Sequence, residues 1–385
     1  MKILFLLLFF LLQPVLWLTV IRAGALFSNR VKRERKLFRS AIYEDFFEGR
    51  HLAKTMLLSG IVSSILGVVL LTMSAKWVVV YIGIELLSVV VLFFTSLPIT
   101  VIAASAVIVS TLTIPNNLFG FSWLKSGLGT SLTAVPAANL TALLSIVVIL
   151  NALYVKRVGG TYESPIIDRN KRNTKIAKYR FNESAVIPML IVLPGDWFAS
   201  HISFWPVFNY SGHTYTLFIL PLLLGLRLTV KRGEFKETLA LFSRNSMIIG
   251  LIGLISAVVT KFVPVLSFYP ILLVWFMYVV NLYVIKLKDN QIDFEYSEVM
   301  DGVRVIGIKP ETPAAKMNLV IGDVILEVNG SPVANETELY RAISLNSTYC
   351  KLKVRDRNDQ LKVTETAIFK NSPHEIGIKT YSDYA

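Results

Sequence analysis

The sequence predicts a polytopic α-helical membrane domain followed by a small α+β domain. Three observations point there. Mean hydropathy is +0.58, and 54% of the 385 residues are hydrophobic, too apolar a balance for a soluble enzyme. Several apolar runs approach or exceed the roughly 18 residues that mark a transmembrane candidate. Near residue 298 the pattern changes to short alternating runs separated by turn signals. Residues 1–288 are therefore expected to be the multi-span region and 298–385 a soluble tail.

The formal net charge is +13. The tail is close to neutral, so the excess lies in the membrane half, in basic loops expected near 28–54, 156–184 and 231–245. Membrane orientation and anionic lipid account for that placement, and no nucleic-acid partner is required. The single cysteine, Cys350, excludes an internal disulfide, a CxxC pair and a thiolate zinc site.

Met1 to Phe27 is an apolar run containing Pro14. Ala23-Gly24-Ala25 imitates a signal cleavage site, but the run is long and only Lys2 precedes it. Arg30, Lys32, Arg33, Arg35, Lys36 and Arg39 follow at once and resist translocation. A retained first span with a cytoplasmic basic loop is the better reading. Spans are next expected over Thr55–Ser74, within Trp77–Ile114 (two, broken near Ser96-Leu97-Pro98, or one), and over Ala137–Val155. Ala185–Val230 is expected to cross out and back, or to include a re-entrant piece near Pro188, Pro194 and Gly195. Ser246–Leu266 and Phe268–Ile285 form a last hairpin, and Lys286 and Lys288 leave the tail in the cytoplasm. The scheme gives about nine crossings, or about seven if Trp77–Ile114 crosses once. Trp77, Trp123, Trp197, Trp205 and Tyr269 lie near span ends, as interfacial anchors do. Asn151 and Asn281 suit helix packing, and Lys261 suits a snorkelling position.

In the tail, Gly302–Ile308 (GVRVIGI) alternates like a strand. Thr312 is placed to cap a short helix beginning at Pro313, with Ala314, Ala315 and Met317 on its buried side. Gly322-Asp323 turns into a strand over Val324–Val328, and Asn329-Gly330 is a tight-turn signal. Asn335 with Glu338 reads as a capping box before a helix whose apolar stripe is Leu339, Ala342 and Ile343. Lys351–Arg355 and Leu361–Phe369 alternate again.

This order, with "TPAAKMNLVIGDVILEVNGSPV" (Thr312–Val333), resembles a bacterial PDZ domain over about the last 85 residues. PDZ domains bind an extended peptide by adding it to a sheet edge beside a helix. The resemblance implies a carboxylate-holding loop of the pattern x-Φ-G-Φ. Val299-Met300-Asp301 fits it poorly, whereas "HEIGIKTY" (His374–Tyr381) contains Glu375-Ile376-Gly377-Ile378. A circularly permuted PDZ order is therefore expected, with peptide-binding residues Glu375, Ile376, Gly377, Ile378, Leu339 and Ile343. The alternative is that Ile376–Tyr381 serves only as an edge strand.

Catalytic signatures are missing from the sequence. The four histidines, His51, His201, His213 and His374, form no H-E-x-x-H, and there is no G-x-S-x-G and no P-loop. Gly120-Phe121-Ser122-Trp123 lacks the second glycine of a rhomboid-type serine loop. The expectation is no enzyme, no cofactor and no metal. Glu85 lies inside an apolar span, where a carboxylate marks either an ion or proton site or an inter-helix hydrogen bond.

The loop "NRVKRERKLFRSAIYEDF" (Asn29–Phe46), the segment "IPMLIVLPGDWF" (Ile187–Phe198), the multi-span middle and the PDZ tail together resemble the MinJ-type cell-division topology proteins, across the full length. That resemblance implies a membrane adaptor linking a polar or septal scaffold of the DivIVA kind to MinC/MinD-like regulators or other divisome proteins. It also implies enrichment at septum and poles of a bacterial cell membrane. The basic loops themselves point to anionic membrane lipid as a further partner. Two other classes stay open: an accessory subunit of a membrane protease, and a transporter or channel using Glu85.

Overall fold

The structure is a computed structural model that describes residues 2–73, 75–91, 98–111, 134–196, 202, 205–263, 269–346, 348–367 and 376–381. Among these residues, eight helices build the first part. Helices α1 (Lys2–Leu12) and α2 (Pro14–Phe38) follow one path bent by 55° at Gln13. Pro14 cannot continue the ladder of α1 but suits the first position of α2. They are followed by α3 (Phe47–Leu70), α4 (Ala75–Val91), α5 (Pro98–Thr111), α6 (Ala134–Val158), α7 (Phe235–Phe262) and α8 (Tyr269–Gln291). Helix α6 is the buried axis. Helices α3, α7 and α8 turn residues such as Leu57, Ile65, Ile255 and Phe276 outward, as a lipid-facing surface does. Among the described residues four helices are long and apolar enough to cross a membrane, or five if the bent pair is one span.

That is fewer than the crossings expected from sequence, and residues 185–230 supply much of the difference. They form no helical spans. Strands β1 (Pro165–Arg169), β2 (Lys175–Pro194), β3 (Val207–Tyr210) and β4 (His213–Val230) make an antiparallel sheet in the order β1-β2-β4-β3. The long pair β2–β4 is a hairpin whose middle, near residues 185–193 and 218–226, is largely buried on both faces. Each apolar run carries a proline at its middle. A proline there breaks a helix, whereas the register sets Pro188 opposite Pro221. A continuous apolar run fits a fully buried strand as well as a span.

The basic stretches are also more structured than loops. Helix α2 runs on to Phe38 and α3 begins at Phe47. Strands β1 and β2 occupy most of 165–184, and α7 begins at Phe235. Two tryptophans expected as interfacial anchors are core residues instead: Trp77 donates its indole N–H to Ser105 Oγ at 2.9 Å and Trp205 to the Leu217 carbonyl at 2.8 Å. Tyr269 is exposed as expected, while Trp123, Trp197, and Ser122 with its loop, lie outside the described residues.

A sheet edge inside apolar surroundings leaves backbone groups without water. Helix α3 solves this for β2. Its small face, Gly60, Ser63, Ser64 and Gly67, lies on the strand. Ser63 and Ser64 donate to the Pro188 carbonyl, each at 3.1 Å, and Ser64 Oγ accepts from Leu190 N–H at 3.1 Å. On β4, Tyr81 Oη contacts the Pro221 carbonyl at 3.0 Å and Gln13 Nε2 donates to that of Ile219 at 3.1 Å. Asn151 Oδ1 accepts the Gly225 N–H at 2.8 Å, and its Nδ2 reaches Tyr278 Oη at 3.2 Å. Asn281 bonds Ser246 and Asn245 between α7 and α8. Both asparagines are packing groups, as expected.

A Cβ added at Gly67 would stand 2.1 Å from the Leu190 carbonyl oxygen, whereas one at Gly24 would meet nothing within 4 Å. Gly67→Ala is expected to lower the melting temperature of the detergent-solubilised protein clearly, and Gly24→Ala to leave it unchanged or slightly raised. Equal melting temperatures in the two variants would refute the close α3–β2 packing.

Candidate peptide-binding site

The tail folds as a small α+β unit. It contains β5 (Val303–Arg304), β6 (Gly307–Ile308), α9 (Pro313–Lys316), β7 (Val324–Val328), β8 (Ser331–Pro332), α10 (Glu336–Ser344), β9 (Tyr349–Arg355), β10 (Leu361–Ala367) and β11 (Ile378–Lys379). The alternating run 302–308 is divided: β5 joins the sheet β10-β9-β7-β5, while β6 pairs only with β11. Asn335 caps α10 through Oδ1 to the Glu338 N–H at 2.8 Å. Glu338 Oε2 reaches back to the Ala334 N–H at 2.8 Å, a variant of the expected box. Thr312 does not cap α9; its hydroxyl donates to the Lys309 carbonyl at 2.6 Å, and Ala315 faces solvent.

Strand β11 lies between β6 and α10. The Lys309 and Ile306 N–H groups donate to the carbonyls of Gly377 and Lys379, both at 2.8 Å. Strand alternation therefore turns the main-chain groups of Ile378 and Thr380 the other way, toward α10. This is the candidate edge for an added strand. Gly377 has φ +91°, and a Cβ there would lie 2.0 Å from Thr312 Oγ1. Only glycine fits this turn.

Of the residues expected to bind peptide, the structure brings Ile376, Gly377, Ile378, Leu339 and Ile343 together, while Glu375 lies outside the described residues. Ile376, Ile378 and Leu339 are core of the unit, with Ile343 packed against them. They shape the groove floor rather than stand free in it. Between strand and helix stands Tyr340, which the sequence reading missed. Its hydroxyl donates to the Ile378 carbonyl at 3.0 Å, the acceptor that an incoming strand needs. Farther along, Thr380 Oγ1 lies 3.4 Å from Glu336 Oε1. The groove is closed by its own side chains. The signal was one aromatic directly after Leu339, which a helical stripe analysis assigns to the helix flank.

The opposite side of the clamp strand rests on residues 38–44. Lys379 Nζ contacts Ser40 Oγ at 2.8 Å, Lys309 pairs with Glu44 at 3.1 Å, and Ile42 packs beneath Gly307. That segment is held by a buried ion cluster. Glu34 Oε2 accepts the Ile42 N–H at 2.8 Å. Arg30 donates to the Tyr43 carbonyl at 2.6 Å and pairs with Glu48 at 2.8 Å and Glu34 at 3.5 Å. The basic motif 29–46 thus builds a seat for the clamp.

A second seam fixes the unit to the sheet. Tyr179 donates to the Ile306 carbonyl at 2.7 Å, and Tyr381 to the carbonyl of Tyr296. Arg357 pairs with Glu234 at 2.6 Å and Glu295 at 3.8 Å. Residues 295–298 run along β2, with the Ala177 N–H donating to Tyr296 and the Glu298 N–H to Lys175, both at 2.9 Å. Burial pushes the Tyr296 and Tyr381 phenols above their usual range.

Comparison with known proteins agrees with this geometry. A model of the PDZ domain matches residues 284–366. The cell division topological determinant MinJ of Bacillus subtilis (strain 168) is 26% identical over 97% of this chain and 94% of its own. The chain carries a PDZ domain and is similar to MinJ proteins over nearly its whole length. A probable MinJ of Lacticaseibacillus paracasei is 28% identical over 63% of this chain and 65% of its own. Mouse serine protease HTRA3 is 36% identical over only 17% of this chain and 14% of its own, a partial PDZ match. Strand β11 lies beyond the stretch that the PDZ model matches.

Burial pushes the Cys350 thiol from 9.0 up to about 11. Because the folded state disfavours the thiolate, its contribution to stability is complete below about pH 9 and is lost as pH rises toward 11. Native protein at pH 8 should therefore resist maleimide labelling that denatured protein undergoes at once. Equally fast labelling in both states would contradict the buried placement.

Proposed function

We propose that this protein is a non-enzymatic membrane adaptor in division-site placement. It would link a polar or septal scaffold of the DivIVA kind to MinC/MinD-like regulators or other divisome proteins. The observation that carries the reading is the edge of β11 turned toward α10 and guarded by Tyr340, on a PDZ domain fastened to a membrane-embedded body. The basic rims at 28–54, 156–184 and 231–245 favour a cytoplasmic position for that domain. The HTRA3 similarity covers PDZ sequence alone and lends no weight to a protease role. Glu85 is fully buried and bonded to Tyr81 Oη at 2.9 Å, beside the Pro221 carbonyl. This supports a packing role over an ion pathway.

Peptide entry requires Tyr340 to leave the Ile378 carbonyl. Removing one hydroxyl that competes through a neutral hydrogen bond is expected to tighten peptide binding by roughly threefold to tenfold. Full-length wild type and Tyr340→Phe would be titrated with fluorescent peptides selected on the wild type from a random C-terminal library. Unchanged or weaker affinity in the variant would argue against the β11–α10 groove. Deleting residues 373–385 is a poor test, because Ile376 and Ile378 are core and Tyr381 belongs to the docking seam.

The cellular claim has its own test: a fluorescent protein that matures only in the cytoplasm, fused after Ala385. Signal concentrated at septa and poles is the expected result. An even membrane signal would overturn the division-site reading, and an intact but dark fusion would overturn the orientation.

A further inference from the structure

A second site lies on the hairpin, away from the peptide groove. Alternation places residues 180, 182 and 184 of β2 on one face, opposite 229, 227 and 225 of β4. That face carries Arg180, Asn182, Arg227 and Thr229. Helix α2 adds Arg22, which sits in the run that sequence reading treated as apolar. Arg22 is 5% exposed. It donates to Asn182 Oδ1 at 2.9 Å and to Ser184 Oγ. Arg180 Nε donates to Thr229 Oγ1 at 3.0 Å.

No carboxylate answers these charges. Among the described residues none of Arg22, Arg180 and Arg227 forms an ion pair, and the hydrogen-bond partners of Arg22 and Arg180 are neutral oxygens. Glu183, between Asn182 and Ser184, projects from the other face and pairs with His51 at 2.8 Å. The arginines act on each other instead. Burial and the positive charge of Arg227 hold the Arg180 guanidinium below its usual range. Farther along α2, Arg33 keeps a buried Nε without a hydrogen-bond partner, but it lies near Glu34 and donates to Ser164 Oγ at 2.9 Å, with the like charge of Arg180 farther off. Clustered guanidinium groups in partly dry surroundings repel one another unless an anion stands among them.

The cluster's height selects the anion. On α2 exposed residues before Arg22 include the apolar Trp17, Val20 and Ile21, and those after it are polar or basic, Asn29, Lys32, Arg35 and Lys36. On α3 the exposed surface likewise changes from Lys54 to Leu57 and Leu58. The arginines therefore sit where headgroups meet acyl chains. A soluble phosphate would match the charge but leave the apolar flank of α2 bare.

We propose that Arg22, Arg180 and Arg227, assisted by Asn182 and Thr229, bind the phosphate head of an anionic phospholipid whose acyl chains lie along the exposed flank of α2. The site uses neither β11 nor α10. It stands or falls independently of the peptide clamp.

The test uses the full chain in detergent. Phosphatidylglycerol, phosphatidylcholine with the same acyl chains, and soluble glycerol 3-phosphate are added separately. Bound lipid is read by native mass spectrometry, and stability by melting temperature. Phosphatidylglycerol should be retained and should raise the melting temperature; the other two should not. The double variant Arg180→Gln/Arg227→Gln should bind phosphatidylglycerol about tenfold more weakly, as loss of charge-assisted hydrogen bonds implies. Lys171→Gln/Arg172→Gln, with equal charge removed from the β1–β2 turn, should bind as wild type does. If the first pair fails to fold, the exposed Arg180→Gln alone is read in the same way. Equal retention of the two lipids, or equal loss in both double variants, would overturn the site. Stabilisation by glycerol 3-phosphate matching that by the lipid would overturn the lipid assignment.

Discussion

A strand pair enclosed by apolar helices must have its outer edges satisfied without water, and much of the membrane part is arranged to do so. Strands β2 and β4 pair with each other along their length, but beyond the short β1 and β3 segments their outer edges face helices. The cost of each unanswered carbonyl or N–H in such surroundings is several kcal/mol, by the order of magnitude for polar groups in hydrocarbon. Two devices answer it. Prolines at 188 and 221 remove N–H groups that would otherwise need acceptors. Ser63, Ser64, Tyr81 and Asn151 from three helices, and Gln13 from the α1–α2 bend, then reach to the remaining groups. Gly60 and Gly67 let α3 approach closely enough for serine hydroxyls to reach the strand. Polar residues that look misplaced in apolar helices are the partners of a buried backbone.

The same hairpin carries the PDZ domain. Its PDZ-facing half supplies Tyr179 to the Ile306 carbonyl, and residues 295–298 lie along its first residues. The connection from α8 is therefore pinned and does not act as a free tether. Asp289, at the end of α8, accepts the N–H groups of Lys231, Arg232 and Gly233 at 2.9 to 3.0 Å and fixes the turn from β4 into α7. Buried ion groups such as Arg30–Glu34–Glu48 are weak evidence of stability on their own, but removing one partner is costly, so they fix geometry. Here the geometry fixed is the seat beneath β11.

The α+β domain was legible because its signals are local. Asn335 with Glu338, Gly322-Asp323 and Asn329-Gly330 each specify a cap or turn within a few residues, and the structure follows them nearly to the residue. The hairpin was not legible. Hydropathy over Ala185–Pro194 and Leu217–Val230 reports burial, and burial in lipid and burial in protein read alike. Pro188 was seen as a break within a span, because its meaning lies in facing Pro221 across some thirty residues of chain. Arg22 was lost in the same way: its partners, Asn182 and Ser184, are brought to it only by the fold. Of the groove, Gly377 was read from its local motif. The obstruction by Tyr340 depends on how α10 lies over β11, which no helical stripe encodes.

The closed groove and the pinned domain bear on each other. A clamp on a flexible tether samples many orientations, and each encounter must first select a productive one. Under the proposed adaptor reading, orientation and height above the membrane would be set before any partner arrives, so less translational and rotational freedom would be lost on binding. Confinement of partners to the same surface would raise the effective concentration further. Those two gains would make an open groove bind indiscriminately to any exposed chain end nearby. The Tyr340 hydrogen bond opposes this by a modest amount, since every peptide must first recover the Ile378 carbonyl. A ligand that only adds backbone pairing gains little over the tyrosine, whereas one that also fills the apolar floor over Leu339 and Ile343 exceeds it. Selectivity in this arrangement rests on the difference between those two ligands, and the fixed seat on residues 38–44 keeps that difference from being blurred by movement of the strand itself.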